Sequence, residues 1–382
     1  MIIGIDIRCL MRPNYSGVAE YTYNLLENLF KIDQKNQYKL FYNSKNDVSN
    51  FLPRWNFANV KFFGFDHPNK LFNAKIKFLK SPKIDNLLSK VDVFFIPNLN
   101  FIALTNNCQK IITVHDLSYA LFPQFFSLKR KFWHKFINPK KLIAGCDKII
   151  AVSENTKNDL INCYKIPDNK IRVINSGIDH NLYRIIDKND SKLKLLKKKY
   201  QLPESFILFL GTLEPRKNII GIIEAFNLLL AKYPEFKNLH LVIAGERGWN
   251  YEQFFSFAQN SPFTKQIFYL DYIQRQDKPF LYNLANLFLF PSFYEGFGFP
   301  ALEAQACGVP VIAGLNSSFP EILGESAFLV KPDYINEIIE AIHLTLTNAK
   351  LKQNLIAKGL ENVKRFSWET CAQETLNYLT NP

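Results

Sequence analysis

The chain has 382 residues, 47% of them apolar and 15% aromatic, with a formal charge of +13. That length fits two cores better than one, and that composition excludes global disorder. The charge is uneven: residues 1–182 carry 26 lysines and arginines against 14 acidic residues, and the rest carry 21 against 20. A basic first half beside a neutral second half points to an anionic partner for the first domain. Six scattered cysteines, Cys9, Cys108, Cys146, Cys163, Cys307 and Cys371, form no CxxC pair, which speaks against a zinc site or a disulfide framework. Neither a signal peptide nor a run of 18 apolar residues is found, so a cytoplasmic protein without a membrane span is expected.

Short apolar runs alternate with helix-length segments from the first residue onward. Strands are predicted at 2–7, 38–42, 60–63, 93–96, 111–114, 148–152 and 171–174 in the first half. In the second half they fall at 206–210, 239–244, 267–270, 287–290, 310–313 and 328–330. Most are continuously apolar, as expected of parallel strands buried on both faces by helices. Between them Tyr21, Leu25, Leu26 and Leu29 repeat at helical spacing, as do Ile223, Phe226 and Leu230. Ser153 reads as a helix cap before Thr156 and Leu160, and Ser367 as another near the end. Polar residues crowd around 180–204, and the domain junction is placed near 180–200. Residues 1–182 then form one domain, 183–365 a second, and 366–382 a closing helix.

Two segments carry the chemistry. Phe209-Leu210-Gly211-Thr212-Leu213-Glu214-Pro215-Arg216-Lys217 leaves a buried strand and sets two cations where an anion would approach. From spacing alone they are as readily solvated surface as a phosphate site. Phe290-Pro291-Ser292-Phe293-Tyr294-Glu295-Gly296-Phe297-Gly298-Phe299-Pro300 joins a strand to a helix through two glycines, which let backbone N–H groups come close to a ligand. Glu295 lies in that loop and Glu303 about a turn into the helix. One carboxylate near a sugar and one on ribose hydroxyls is a chemically sensible division.

The stretch from Pro291 to Gly314 resembles the glutamate-x7-glutamate signature of retaining glycosyltransferases of family 4, group 1, which includes bacterial mannosyltransferases of envelope polysaccharide synthesis. The resemblance implies an α/β protein of GT-B type: two facing Rossmann-like domains with parallel sheets and an inter-domain active-site cleft. It implies that Glu303 holds the ribose and that Glu295 lies beside the donor sugar, which also meets the backbone at Phe297 and Gly298. Arg216 and Lys217 would face the diphosphate. His115 would reach the sugar near the reacting carbon, Gly17 would close over phosphate and acceptor, and Tyr272 would lie at the base. Three departures stand out: Ala19 replaces a second loop glycine, where φ > 0 would strain it; Asp271 replaces a glycine before Tyr272; and Asn175-Ser176-Gly177 varies a landmark turn.

By the same resemblance the reaction retains anomeric configuration, the leaving phosphate helping to deprotonate the acceptor. No Asp-x-Asp follows a strand, so no cofactor and no essential metal are expected. The run after His115-Asp116 resembles the mannosyltransferase branch and favours GDP-mannose, with UDP-glucose or a dTDP-deoxysugar as alternatives and a degenerate sugar-nucleotide-binding protein as a remoter one. The implied partners are a nucleotide-diphosphate sugar and a glycan or polyprenyl-diphosphate-linked acceptor; no nucleic-acid motif is present. Two basic, aromatic-rich stretches, 70–80 and 125–137, read as helices for an anionic membrane surface, giving peripheral attachment to the inner face of the cytoplasmic membrane.

Overall fold

The computed structural model describes residues 1–381 and divides into two compact units. The first comprises residues 1–117, 128–177 and the chain from Ser367 onward; the second comprises 118–127 and 178–366.

The first unit is built on seven strands: β1 (Ile2–Asp6), β2 (Gln37–Asn43), β3 (Val60–Phe65), β4 (Val93–Ile96), β5 (Gln109–Val114), β6 (Lys148–Ala151) and β7 (Ile171–Val173). They pair in parallel in the order β3-β2-β1-β4-β5-β6-β7. Four early helices follow the strands in chain order: α1 (Gly17–Ile32), α2 (Asn69–Leu79), α3 (Ile84–Leu87) and α4 (Ser118–Leu121), the last belonging to the second unit. Next come α5 (Leu128–Ile137), α6 (Pro139–Ala144) and α7 (Glu154–Tyr164). The apolar stripe of α1, Tyr21, Leu25, Leu26, Leu29 and Phe30, is wholly buried. Ser153 caps α7 by accepting from the Thr156 backbone N–H at 3.1 Å.

In the second unit β8 (Phe206–Leu210), β9 (His240–Ala244), β10 (Ile267–Leu270), β11 (Leu287–Phe290), β12 (Val311–Gly314) and β13 (Phe328–Val330) also pair in parallel, ordered β10-β9-β8-β11-β12-β13. Its helices are α8 (Ser191–Lys199), α9 (Ile219–Lys232), α10 (Tyr251–Gln259), α11 (Lys278–Leu284), α12 (Phe299–Ala306), α13 (Phe319–Ile322), α14 (Ile335–Thr347) and α15 (Ala349–Asn362). Every residue of β8 and β11 is buried, which explains their unbroken apolar sequences. In both units strand order reverses once, between β1 and β4 and between β8 and β11. Crevices at such switch points, outside the carboxyl ends of the strands, are where open α/β sheets hold ligands.

The final helix, α16 (Trp368–Thr380), packs on α1 within the first unit, with Trp368 5.9 Å from Tyr21 ring to ring. Its buried face is Trp368, Cys371, Ala372, Thr375 and Leu379. Ser367 accepts from the Glu369 and Thr370 backbone N–H groups. Gly177 makes this approach possible, because a Cβ there would lie 2.1 Å from the Trp368 nitrogen.

Two boundaries differ from the sequence expectation. The chain passes from the first unit to the second after Gly177, not after 182, before it returns to the first unit at Ser367. Residues 118–127, expected within the first domain, pack with the second: Phe122 meets Tyr294 at 5.5 Å, Phe125 stacks on Phe293 at 5.2 Å, and Trp249 donates to the Phe125 carbonyl at 2.9 Å. A contiguous apolar run cannot reveal which core it joins.

Candidate active site

The carboxyl ends of β8 and β11 bring the two predicted loops together. Phe293 N–H donates to the Arg216 carbonyl at 2.9 Å, and the Arg216 guanidinium donates back to the Tyr294 carbonyl, so each loop fixes the other. Arg216 donates through Nε and Nη2 to Glu214 Oε1 at 3.2 and 2.8 Å, and its Nη1 lies 3.2 Å from Glu295 Oε2. Lys217 Nζ donates to Glu295 Oε1. Two cations and two carboxylates therefore form one nearly buried, charge-balanced cluster. Burial alone pushes the Glu295 carboxyl up, but Lys217 and then Arg216 hold it below its ordinary value. Burial, followed by the charge of Arg216, lowers the Lys217 ammonium.

In this arrangement Lys217 is buried, and Glu295, expected beside the donor sugar, is the counter-ion of both cations. Glu214 is a member that sequence reasoning did not single out. It was present in the quoted segment, and only the burial of the loop makes a second carboxylate necessary.

Gly298 begins α12 with φ +94°, and a Cβ would sit 2.6 Å from Phe319, so backbone conformation and packing both demand glycine. Phe297 is buried, its ring edge-on to Phe366 at 5.5 Å. Glu303, just over a turn along α12, is buried, and its Oε2 accepts from the Tyr282 hydroxyl at 2.8 Å. Tyr282 lies 21 residues upstream and has no linear signal linking it to Glu303. Tyr272 follows β10 half-buried, two strands away from β8 in the sheet. Asp271 holds the Arg247 Nε at 3.0 Å, and Arg247 also lies over the Tyr251 ring, so the departure from glycine carries its own partner.

In the first unit His115 leaves the carboxyl end of β5 and meets the loop after β4: its Nε2 lies 2.8 Å from the Pro97 carbonyl. A carbonyl only accepts, so Nε2 carries the proton and Nδ1 is the basic nitrogen. Tyr21 stands edge-on at 4.7 Å. Burial lowers the imidazole from its ordinary value of 6.5, opposed by the Pro97 bond and Asp116, which favours the neutral ring. Gly17 is the first residue of α1, with nothing within 4 Å of a Cβ placed there. Ala19 lies in the first helical turn and has no positive φ, so the strain expected of it does not arise. Among the described residues no three His, Cys, Asp or Glu side chains cluster as metal ligands.

Two Rossmann-like units, one carrying at its switch point a cation pair matched by one glutamate from each of two loops, define a nucleotide-sugar-dependent glycosyltransferase of GT-B type. The family descriptions agree: "Glycosyltransferase Family 4" matches residues 15–182 and "Glycosyl transferases group 1" matches residues 191–362. O-antigen chain mannosyltransferase B of Escherichia coli is 31% identical over 277 residues, covering 70% of this chain and 69% of that one. The chain belongs to the group 1 glycosyltransferases of family 4. Among solved structures, sucrose-phosphate synthase from Thermosynechococcus elongatus superposes with a TM-score of 0.75 at 19% identity, over 99% of this chain and 98% of that one. Anabaena HepE, in complex with UDP and glucose, superposes at 0.74 and 18%, over 100% and 99%. At such identities these two show the shared fold.

Proposed function

We propose that the protein transfers a hexose, with retention, from a nucleotide-diphosphate sugar to a glycan or polyprenyl-diphosphate-linked acceptor in envelope polysaccharide synthesis. The observation that carries this reading is the Arg216–Lys217–Glu295 cluster at the β8/β11 switch point. In the reaction the bond from the anomeric carbon to the β-phosphate breaks and a bond from the acceptor oxygen forms on the same face. The acceptor proton passes to the departing phosphate. Arg216 and Lys217 take up the charge growing on that diphosphate. Glu295, released from them, is free to accept from sugar hydroxyls. Glu303 accepts from the ribose, Tyr272 flanks the base, and the backbone at Phe297 and Gly298 meets the sugar. His115 is proposed to meet the sugar as a neutral ring, and Gly17 the phosphate.

The donor reading shifts from the GDP-mannose favoured by the sequence. HepE, at the same fold, holds UDP-glucose or UDP with glucose, which supports a uridine-type donor. GDP-mannose remains a second reading on one observation, the 31% identity to a mannosyltransferase. A donor panel of UDP-glucose, GDP-mannose, UDP-GlcNAc, dTDP-rhamnose and GDP-fucose, supplied with lipid-linked acceptor, tests the proposal. Acceptor-dependent release of nucleoside diphosphate and a product of unchanged anomeric configuration are expected. No transfer with any donor, or hydrolysis without transfer, rejects it.

A further inference from the structure

Helices α2 and α5 present apolar side chains to solvent on a scale that the rest of the first unit does not. Leu128 is 73% exposed and Phe132 71%, while Phe78 and Leu79 are each 69% exposed. On α5 only Ile137 is buried. Leu128, Phe132 and Phe136 repeat every fourth residue, so they form one stripe along the helix. The two helices adjoin: Phe78 packs edge-on to Phe136 at 5.6 Å, and Lys77 Nζ lies 5.5 Å from the Phe136 ring.

Beside this apolar face lies a cavity of about 290 Å³. Its rim carries Lys77, Lys80, Lys83, Lys110 and Lys141, and no acidic residue lines it. Its floor includes Ile76, Phe101 and Ile137, all buried. Partial burial and then the charges of Lys77, Lys141 and Lys83 lower the Lys80 ammonium, a sign of cations crowding one another. Of the carboxylates on adjoining segments, Asp116 acts on His134 of α5, and two others are engaged elsewhere. Asp85 accepts from the Thr105 N–H and hydroxyl, and Asp147 accepts from the Lys110 backbone N–H. Over residues 69–83 and 128–146 the sequence places eleven lysines and arginines and no aspartate or glutamate.

We infer that this face docks onto an anionic phospholipid bilayer, the lysine-rimmed cavity taking a lipid phosphate headgroup while Phe78, Leu79, Leu128 and Phe132 enter the acyl boundary. Charge complementarity selects this occupant. Ammonium groups around an apolar floor match a phosphate joined to an acyl chain, and projecting aromatic side chains ringed by lysines match the headgroup boundary. The inference goes with the proposed lipid-carried acceptor, but it is read without any donor or transfer.

Cosedimentation would be measured with vesicles of phosphatidylglycerol and phosphatidylcholine in equal parts, and with phosphatidylcholine alone. Wild type should bind the first and not the second. Changing Lys80, Lys83 and Lys141 together to Gln should lower the partition coefficient about a hundredfold, from a roughly fivefold contribution of each cation. Phe78→Ser with Phe132→Ser should lower it at least about tenfold. Lys35, Lys45 and Lys165 changed together to Gln remove the same charge elsewhere on the unit and should stay within about twofold. No binding by wild type, or equal losses in the two lysine variants, overturns the inference. So does a wild-type melting temperature raised by glycerol 3-phosphate without vesicle binding, which marks a soluble-phosphate site, or binding to duplex DNA in place of vesicles. A failed donor panel leaves this inference standing, and failed vesicle binding leaves transfer to a soluble acceptor standing.

Discussion

Glu295→Gln is the most informative single change, because it keeps the shape of the cluster while removing one of its two negative charges. Both the Lys217 and the Glu295 side chains are 9% exposed, and Arg216 is 12% exposed. Breaking a buried pair by neutralising one partner costs about 3–5 kcal/mol, since the other charge is left without compensation. For a unit of this size that corresponds to a fall in melting temperature of about 10 °C. Lys217→Met should cost less, about 1–3 kcal/mol, because Glu295 keeps Arg216 at 3.2 Å. The double variant leaves Arg216 balanced by Glu214, so its loss should fall short of the sum by about 2 kcal/mol. Ligand binding separates this account from a merely structural one. A nucleoside diphosphate must displace Glu295 from two cations in the wild type but not in Glu295→Gln. Its affinity, by calorimetry, should therefore hold or rise by up to about tenfold, ~1.4 kcal/mol, while turnover falls by at least as much. Lys217→Met should weaken the same ligand. A Glu295→Gln protein that melts like wild type, or that loses diphosphate affinity in step with Lys217→Met, refutes the cluster as described.

Glu303→Ala should weaken bare nucleoside diphosphate at least about tenfold, and stranding the buried Tyr282 hydroxyl should cost a further 1–3 kcal/mol or so of stability; unchanged affinity by calorimetry would remove Glu303 from the ribose. Gly298→Ala should destabilise by more than about 1 kcal/mol, since φ is +94° and the new methyl meets Phe319 at 2.6 Å; a urea midpoint equal to wild type would contradict that geometry. His115 holds its proton less tightly folded than unfolded, so the folded state binds fewer protons as pH drops through 6.5, and stability falls from there downward. Replacing His115 with Gln should flatten the decline in melting temperature between pH 7 and about pH 5; an unaltered slope would mean the ring titrates normally.

The architecture was legible because parallel strands buried on both faces cannot alternate. Runs such as Phe206–Leu210 and Leu287–Phe290 announce themselves by continuous apolar sequence, and the structure places a strand at each predicted run. Edges were less legible: Gln37, Asn43 and Gln109 extend strands through backbone pairing, and Asn43 also through side-chain bonds to His67 and Asn69, none of which hydropathy encodes. The closing helix shows the same limit. Ser367 reads as a cap, and Cys371, Ala372 and Leu379 are buried as apolar residues should be, yet Thr375 is buried too while Leu376 is only half-buried, because α1 and not hydropathy decides which face turns inward.

The candidate site was legible as parts and not as a circuit. Arg216, Lys217, Glu295, Gly298 and Glu303 stand out by residue type in the segments after β8 and β11, but the pairing of Arg216 and Lys217 with Glu295 depends on a depth of burial that linear spacing does not carry. Once Lys217 is buried, an isolated ammonium is untenable, and the carboxylate that satisfies it must come from the neighbouring strand's loop; Glu295 is the residue that β11 delivers there. The same reasoning explains the strap at 118–127. Its Phe122 and Phe125 lie on Tyr294 and Phe293, the two residues directly before Glu295, while Trp249 holds its backbone. Removing those rings would leave the glutamate loop with an uncovered apolar side. A run of aromatics that looked like a mark of subfamily is, physically, part of what holds Glu295 against its cations.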